Sequence, residues 1–120
     1  MPSPNASQNA KPKEILLVQT TCPNIASARK LTDRLLKERL ATCINLIKDV
    51  ESHYCWEGER KHGTETLLLI KAPALKYAAL EAAIRQDHPY ELPEIIAVSL
   101  TAGLPAYLNW VAAANESSDS

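Results

Sequence analysis

From Ala41 to Ala72 the chain reads almost without a break as extended structure, interrupted at Gly58. The first half, "ATCINLIKDVESHYCWEG", alternates. Ile44, Leu46, Val50, Tyr54 and Trp56 share one parity, and Asn45, Asp49, Glu51, His53 and Cys55 share the other. Successive side chains of a strand point to opposite faces, so this spacing predicts one apolar and one largely polar side. Ile47 and Lys48 break the pattern and predict a bend or bulge. Gly58 marks the turn, and "TETLLLIKA" is the returning strand. Such a hairpin is too long for one small sheet to cover. Its far end is expected to pair with another subunit.

The flanks complete the pattern. "EILLVQT" is a short aliphatic strand. Asn24 is placed to cap the helix "IASARKLTDRLLKERL", whose Ala28, Leu31 and Leu35 form one face. Pro73 sits at the start of a second helix, "ALKYAALEAAIRQDH", with Leu80, Ala83 and Ile84 inward. Pro89 stops that helix, and Pro93 holds the chain extended into the strand "EIIAVSL". Gly103 and Pro105 introduce a last short helix, "AYLNWVAAA". The order β-α-β-β-α-β plus a terminal helix predicts an α+β, ferredoxin-like split βαβ sandwich, an antiparallel sheet with both main helices on one face. Residues 1–13 and 115–120 are polar and are expected to form a disordered arm and tail around one domain, 14–114.

Composition narrows the functional classes. The chain has 120 residues, no Phe and only 5% aromatics, so Ile, Leu, Val and Ala must build the core. Net charge is −1 with signs intermixed, which gives no basic face for nucleic acid. No apolar run approaches the roughly 18 residues of a membrane span. The first residues lack the apolar segment of a secretory signal, so a cytoplasmic location is expected. Cys22, Cys43 and Cys55 are odd in number, without a CxxC, and read as reduced thiols. No glycine-rich phosphate loop and no nucleophile beside a base motif occurs, so no enzymatic activity is expected.

The segments "HYCWEG", "LLLIKA", "DHPYELPEII" and "YLNW", in that order and spacing, resemble the CutA divalent-cation-tolerance family, from about Glu14 to Ala113. The resemblance implies a homotrimer similar in architecture to PII signalling proteins. It also implies a non-enzymatic role in tolerance of copper or another divalent cation, which folding does not require. The family's bacterial copper site combines a Cys at the end of the first strand with two adjacent His before Pro-Tyr. Here Thr20 stands at the Cys position, Cys22 follows two residues on, and the His pair is Asp87-His88.

The metal candidates are therefore His88 as nitrogen ligand, with Asp87 or Cys22 assisting, at an inter-subunit cleft. Alternatively, His88 acts as a helix cap or a pocket hydrogen-bonding group. Trp56, Glu65, Lys71 and Tyr90 are candidates for a neighbouring pocket, although Glu65 and Lys71 could instead form a buried ion pair. Lys71 and the aromatics also allow a second reading, a PII-like signalling trimer binding a small organic anion or a protein partner. His53 and Cys55, two apart on a strand, could bracket a soft metal given a third ligand from a neighbour, or simply meet another subunit. His62 is expected to be solvated in a charged turn.

Overall fold

The computed structural model describes residues 14–114; the expected arm and tail lie outside the described residues. The elements run β1 (Ile15–Cys22), α1 (Ile25–Lys37), β2 (Cys43–Trp56), β3 (Glu59–Pro73), a 3-10 turn (Ala74–Lys76), α2 (Tyr77–Asp87), β4 (Ile95–Ser99) and α3 (Pro105–Ala114). The four strands form one antiparallel sheet in the order β2-β3-β1-β4, the ferredoxin-like arrangement.

Local chemistry sets the boundaries. Asn24 caps α1, its Oδ1 accepting from the Ser27 amide at 2.8 Å. The helix ends three residues earlier than its apolar pattern suggests, because Arg39 takes a left-handed conformation (φ 58°). The Leu40 amide then donates to the Leu35 carbonyl and the Arg39 amide to that of Leu36. This is a Schellman ending with Arg in place of the usual glycine, and Leu40 folds back into the core. Helix α2 ends at Asp87, and His88 is already extended (φ −80°, ψ 133°), as the residue before a proline prefers.

One face of the sheet carries Val18, Cys22, Leu68, Ile70 and Ala72 against Ala28, Leu31 and Leu35 of α1 and Leu80, Ala83 and Ile84 of α2. All are buried, and every inward helix position expected from the sequence lies there. The other face presents Leu17, Ile47, Leu67, Leu69, Ile96 and Val98, which register places side by side. Helix α3 covers one end of it, packing Val111 and Ala112 on Ile15. The remainder is open: Ile47, Ile96 and Val98 are 45%, 55% and 58% exposed.

The expected bulge is present. Ile47 pairs with Leu67 but Val50 pairs with Glu65, so β2 carries one extra residue there, and Asp49 has φ 62°. The extra residue corrects the parity expected from the sequence. Ile44 and Leu46 face the helices, whereas Val50, Tyr54 and Trp56 fall on the opposite face. The returning strand also starts earlier than expected, at Glu59. A two-residue turn, Glu57-Gly58 (φ 52° and 81°), joins the strands. Two positive φ values are the signature of a type I′ turn, whose twist suits a hairpin.

Candidate functional site

Strand β1 ends at Cys22, paired with Thr66. The segment after α2 wraps around this end and builds a small polar cluster. His88 Nε2 lies 2.6 Å from the Thr21 carbonyl, and the Tyr90 amide donates to His88 Nδ1 at 3.1 Å. A carbonyl can only accept, so Nε2 carries the proton and Nδ1 presents its lone pair to Tyr90. Both nitrogens of His88 are thus engaged. The two rings pack with centroids 4.9 Å apart. The Tyr90 hydroxyl donates to Glu65 Oε2 at 2.8 Å. Burial, followed by Glu65, pushes the Tyr90 phenol well above its ordinary range.

The three metal candidates have separate occupations in this chain. Asp87 accepts from Arg34 Nη1 at 2.9 Å, within a network in which Arg34 also donates to Gln86 and pairs with Glu38. Cys22 is 1% exposed. Burial pushes its thiol up, the Ser27 hydrogen bond opposes this, and the nearby Glu65 charge adds to it. Cys22 is therefore a neutral thiol at neutral pH, a weaker ligand than a thiolate. Among the described residues, no group of three or more His, Cys, Asp or Glu converges as a metal centre. Thr20, at the position where the resemblance places a cysteine, is fully buried, and its Oγ1 has no partner among the described residues.

The four pocket candidates divide as well. Glu65 and Tyr90 meet. Lys71 lies six residues along β3 from Glu65, and Trp56 six residues along β2 from Glu65's register partner Val50, in opposite directions. At a strand rise near 3.3 Å, each is about 20 Å from Glu65, so within one chain they line no common pocket. Nor is there a Lys71–Glu65 ion pair: Lys71 donates to Asn45 Oδ1, with Cys43 Sγ at 4.0 Å. Equal parity put these residues on one face, but separation along the strand keeps them apart. Sequence reasoning missed Thr21, which acts through its backbone, and Arg34, whose reach to Asp87 depends on the packing of α1 beside α2. Neither role carries a local sequence signal. No helix among the described residues is long and apolar enough to cross a membrane.

Comparison with known proteins gives a consistent picture. The family model for the CutA1 divalent ion tolerance protein matches residues 16–114. Protein CutA of Mus musculus is 35% identical over 116 residues, 97% of this chain and 66% of the mouse protein. The Xenopus laevis homolog is 41% identical over 76% of this chain and 60% of its own length. The chain thus spans about two thirds or less of these animal relatives. Among solved structures, the divalent cation tolerance protein of Thermus thermophilus has a TM-score of 0.80 at 35% identity, covering 82% of this chain and 95% of that one. CutA of Xylella fastidiosa has a TM-score of 0.79 at 39% identity, covering 81% and 93%.

Proposed function

The chain belongs to the CutA1 divalent ion tolerance family, and from that premise we propose that it is a cytoplasmic, homotrimeric protein of divalent-metal tolerance that acts by binding rather than catalysis. The observation that carries the reading is the outer hairpin. Seven register pairs, from Val50–Glu65 to Trp56–Glu59, extend past the last β1 pair, Cys22–Thr66. A two-stranded ribbon is marginal in water unless something else packs on it. The open apolar face of the sheet adds the surface that an oligomer needs. Neighbouring copies would support the hairpins and bring Trp56 of one chain toward the Tyr90–Glu65 cluster of the next.

The metal, copper or another divalent cation, would be bound at that cleft through His88, with Asp87 or Cys22 assisting. The Thr21 carbonyl fixes the proton on Nε2, as an orienting partner does for a metal-bound imidazole. That leaves Nδ1 as the coordinating atom once the Tyr90 amide yields it. Folding would not call on the metal, since the core is a cluster of aliphatic side chains from the sheet, α1 and α2. Copper retained per chain after exhaustive buffer exchange tests the site. His88→Ala should lose one equivalent that wild type keeps, and equal retention would overturn the assignment. The alternative of a small-anion or protein-partner trimer draws less support, because Lys71 is engaged by Asn45 and Glu65 brings negative charge to the cleft.

A further inference from the structure

The type I′ turn at Glu57-Gly58 fixes the hairpin register so that His53 and His62 stand directly opposite each other. Their ring centroids are 5.5 Å apart and their planes 30° from parallel. Directly paired residues share a face of the ribbon, and the same side carries Glu51, paired with Thr64, and Cys55, paired with Arg60. We infer that His53 and His62 form a two-imidazole clip for a borderline divalent transition ion such as Zn²⁺ or Cu²⁺, separate from the His88 cleft.

Three observations support the clip. The first is spacing. A metal–nitrogen bond of about 2.0–2.1 Å sets each ring centroid roughly 3.2 Å from the metal, and two such rings at a near-tetrahedral angle are about 5–5.5 Å apart. The existing separation therefore needs rotation of the side chains but no movement of the strands. The second is the partner of His53: Nε2 lies 2.6 Å from Glu51 Oε2. The carboxylate accepts, so the proton is held on Nε2 and Nδ1 keeps its lone pair. This is the carboxylate–histidine arrangement that orients imidazole ligands in metal sites.

The third is access. His53 and Glu51 are largely exposed, with side-chain exposures of 58% and 72%, and the two histidines border a shallow hollow lined also by Tyr54, Cys55, Arg60 and Lys61. Two protein ligands leave the remaining positions to water, so micromolar affinity is expected and hard ions such as Mg²⁺ are excluded by the nitrogen donors. Cys55 sits one strand repeat from His53, about 7 Å along the chain, beyond a shared first coordination shell. Arg60 and Lys61 oppose the cation, and Glu51 partly offsets them.

Titration of Zn²⁺ into the intact chain carrying His88→Ala isolates the clip from the cleft. One Zn²⁺ should bind per chain at pH 7.5, at least tenfold more tightly than in the chain carrying both His88→Ala and His62→Ala. Glu51→Gln should weaken binding severalfold without altering the circular dichroism spectrum. Cu²⁺ in the His88→Ala chain should show electron paramagnetic resonance couplings from two nitrogens, reduced to one in His62→Ala. Absence of Zn²⁺ binding, or affinity unchanged by loss of His62, would overturn the clip while leaving the His88 assignment to its own copper test.

Discussion

The Tyr90 hydroxyl donates to Glu65 Oε2 at 2.8 Å, tying the segment after α2 to β3 just past the end of β1. A hydrogen bond to a charged acceptor contributes about 1.5–3 kcal/mol. Tyr90→Phe is expected to lower stability by an amount toward the lower end of that range, since the site is only partly buried. The raised pKa adds a pH signature. The folded state holds the phenolic proton more tightly than the unfolded chain does, so this stabilisation is complete below about pH 10 and declines as pH rises above it. Chemical denaturation from pH 8 to 11.5 should show wild type losing stability more steeply than Tyr90→Phe at the alkaline end. Parallel curves would contradict the assignment.

Thr20 presents a hydroxyl to the apolar core with no partner for it among the described residues. Replacing it by the near-isosteric Val removes an unsatisfied polar atom at little cost in packing. Thr20→Val should stabilise the chain by about 1 kcal/mol, read as a higher denaturant midpoint with unchanged slope.

Glu57 holds a left-handed backbone conformation that a non-glycine residue adopts at a cost. Asn before Gly is a favoured type I′ pair. Glu57→Asn is therefore expected to raise stability by a few tenths of a kcal/mol and to slow amide exchange along the outer hairpin. Faster exchange would show that the Glu side chain contributes something the turn geometry does not reveal.

Ile96 and Val98 lie exposed and adjacent on the open sheet face. If that face joins copies of the chain, Ile96→Lys should shift the light-scattering mass from trimer toward monomer, with the monomer retaining its helix signal. A mass unchanged by this charge would move the interface elsewhere.

Much of the architecture could be read before the structure was known, and the reasons are local. Pro89 and Pro93 bracket the strap after α2, Asn24 caps α1, and the apolar spacing of both helices picks out their buried residues. The helix caps, turns and periodicities need no knowledge of distant contacts. The site was less accessible because it depends on distances along strands and on backbone atoms. Lys71, Glu65 and Trp56 share a face, yet six-residue steps separate them. The Thr21 carbonyl that holds His88 would be the same for almost any residue at that position. The opposition of His53 and His62 requires one particular turn length, which Gly58 alone does not specify.

The bulge at Lys48-Asp49 has a consequence for how this chain can tolerate length change. Between the Ile47–Leu67 and Val50–Glu65 pairs, β2 takes three steps where β3 takes two, so one residue there is surplus to the ladder. Deleting it would restore plain alternation and leave Val50, His53 and Trp56 on their present faces. A deletion between Ser52 and Trp56 meets no surplus: the residues from the cut to the tip would slip by one and trade sides, or the two-residue turn would be lost. The bulge is thus the one place in the ribbon with length to spare, and a screen of one-residue deletions along β2 should find assembly best preserved at Lys48-Asp49 and lost in the outer half.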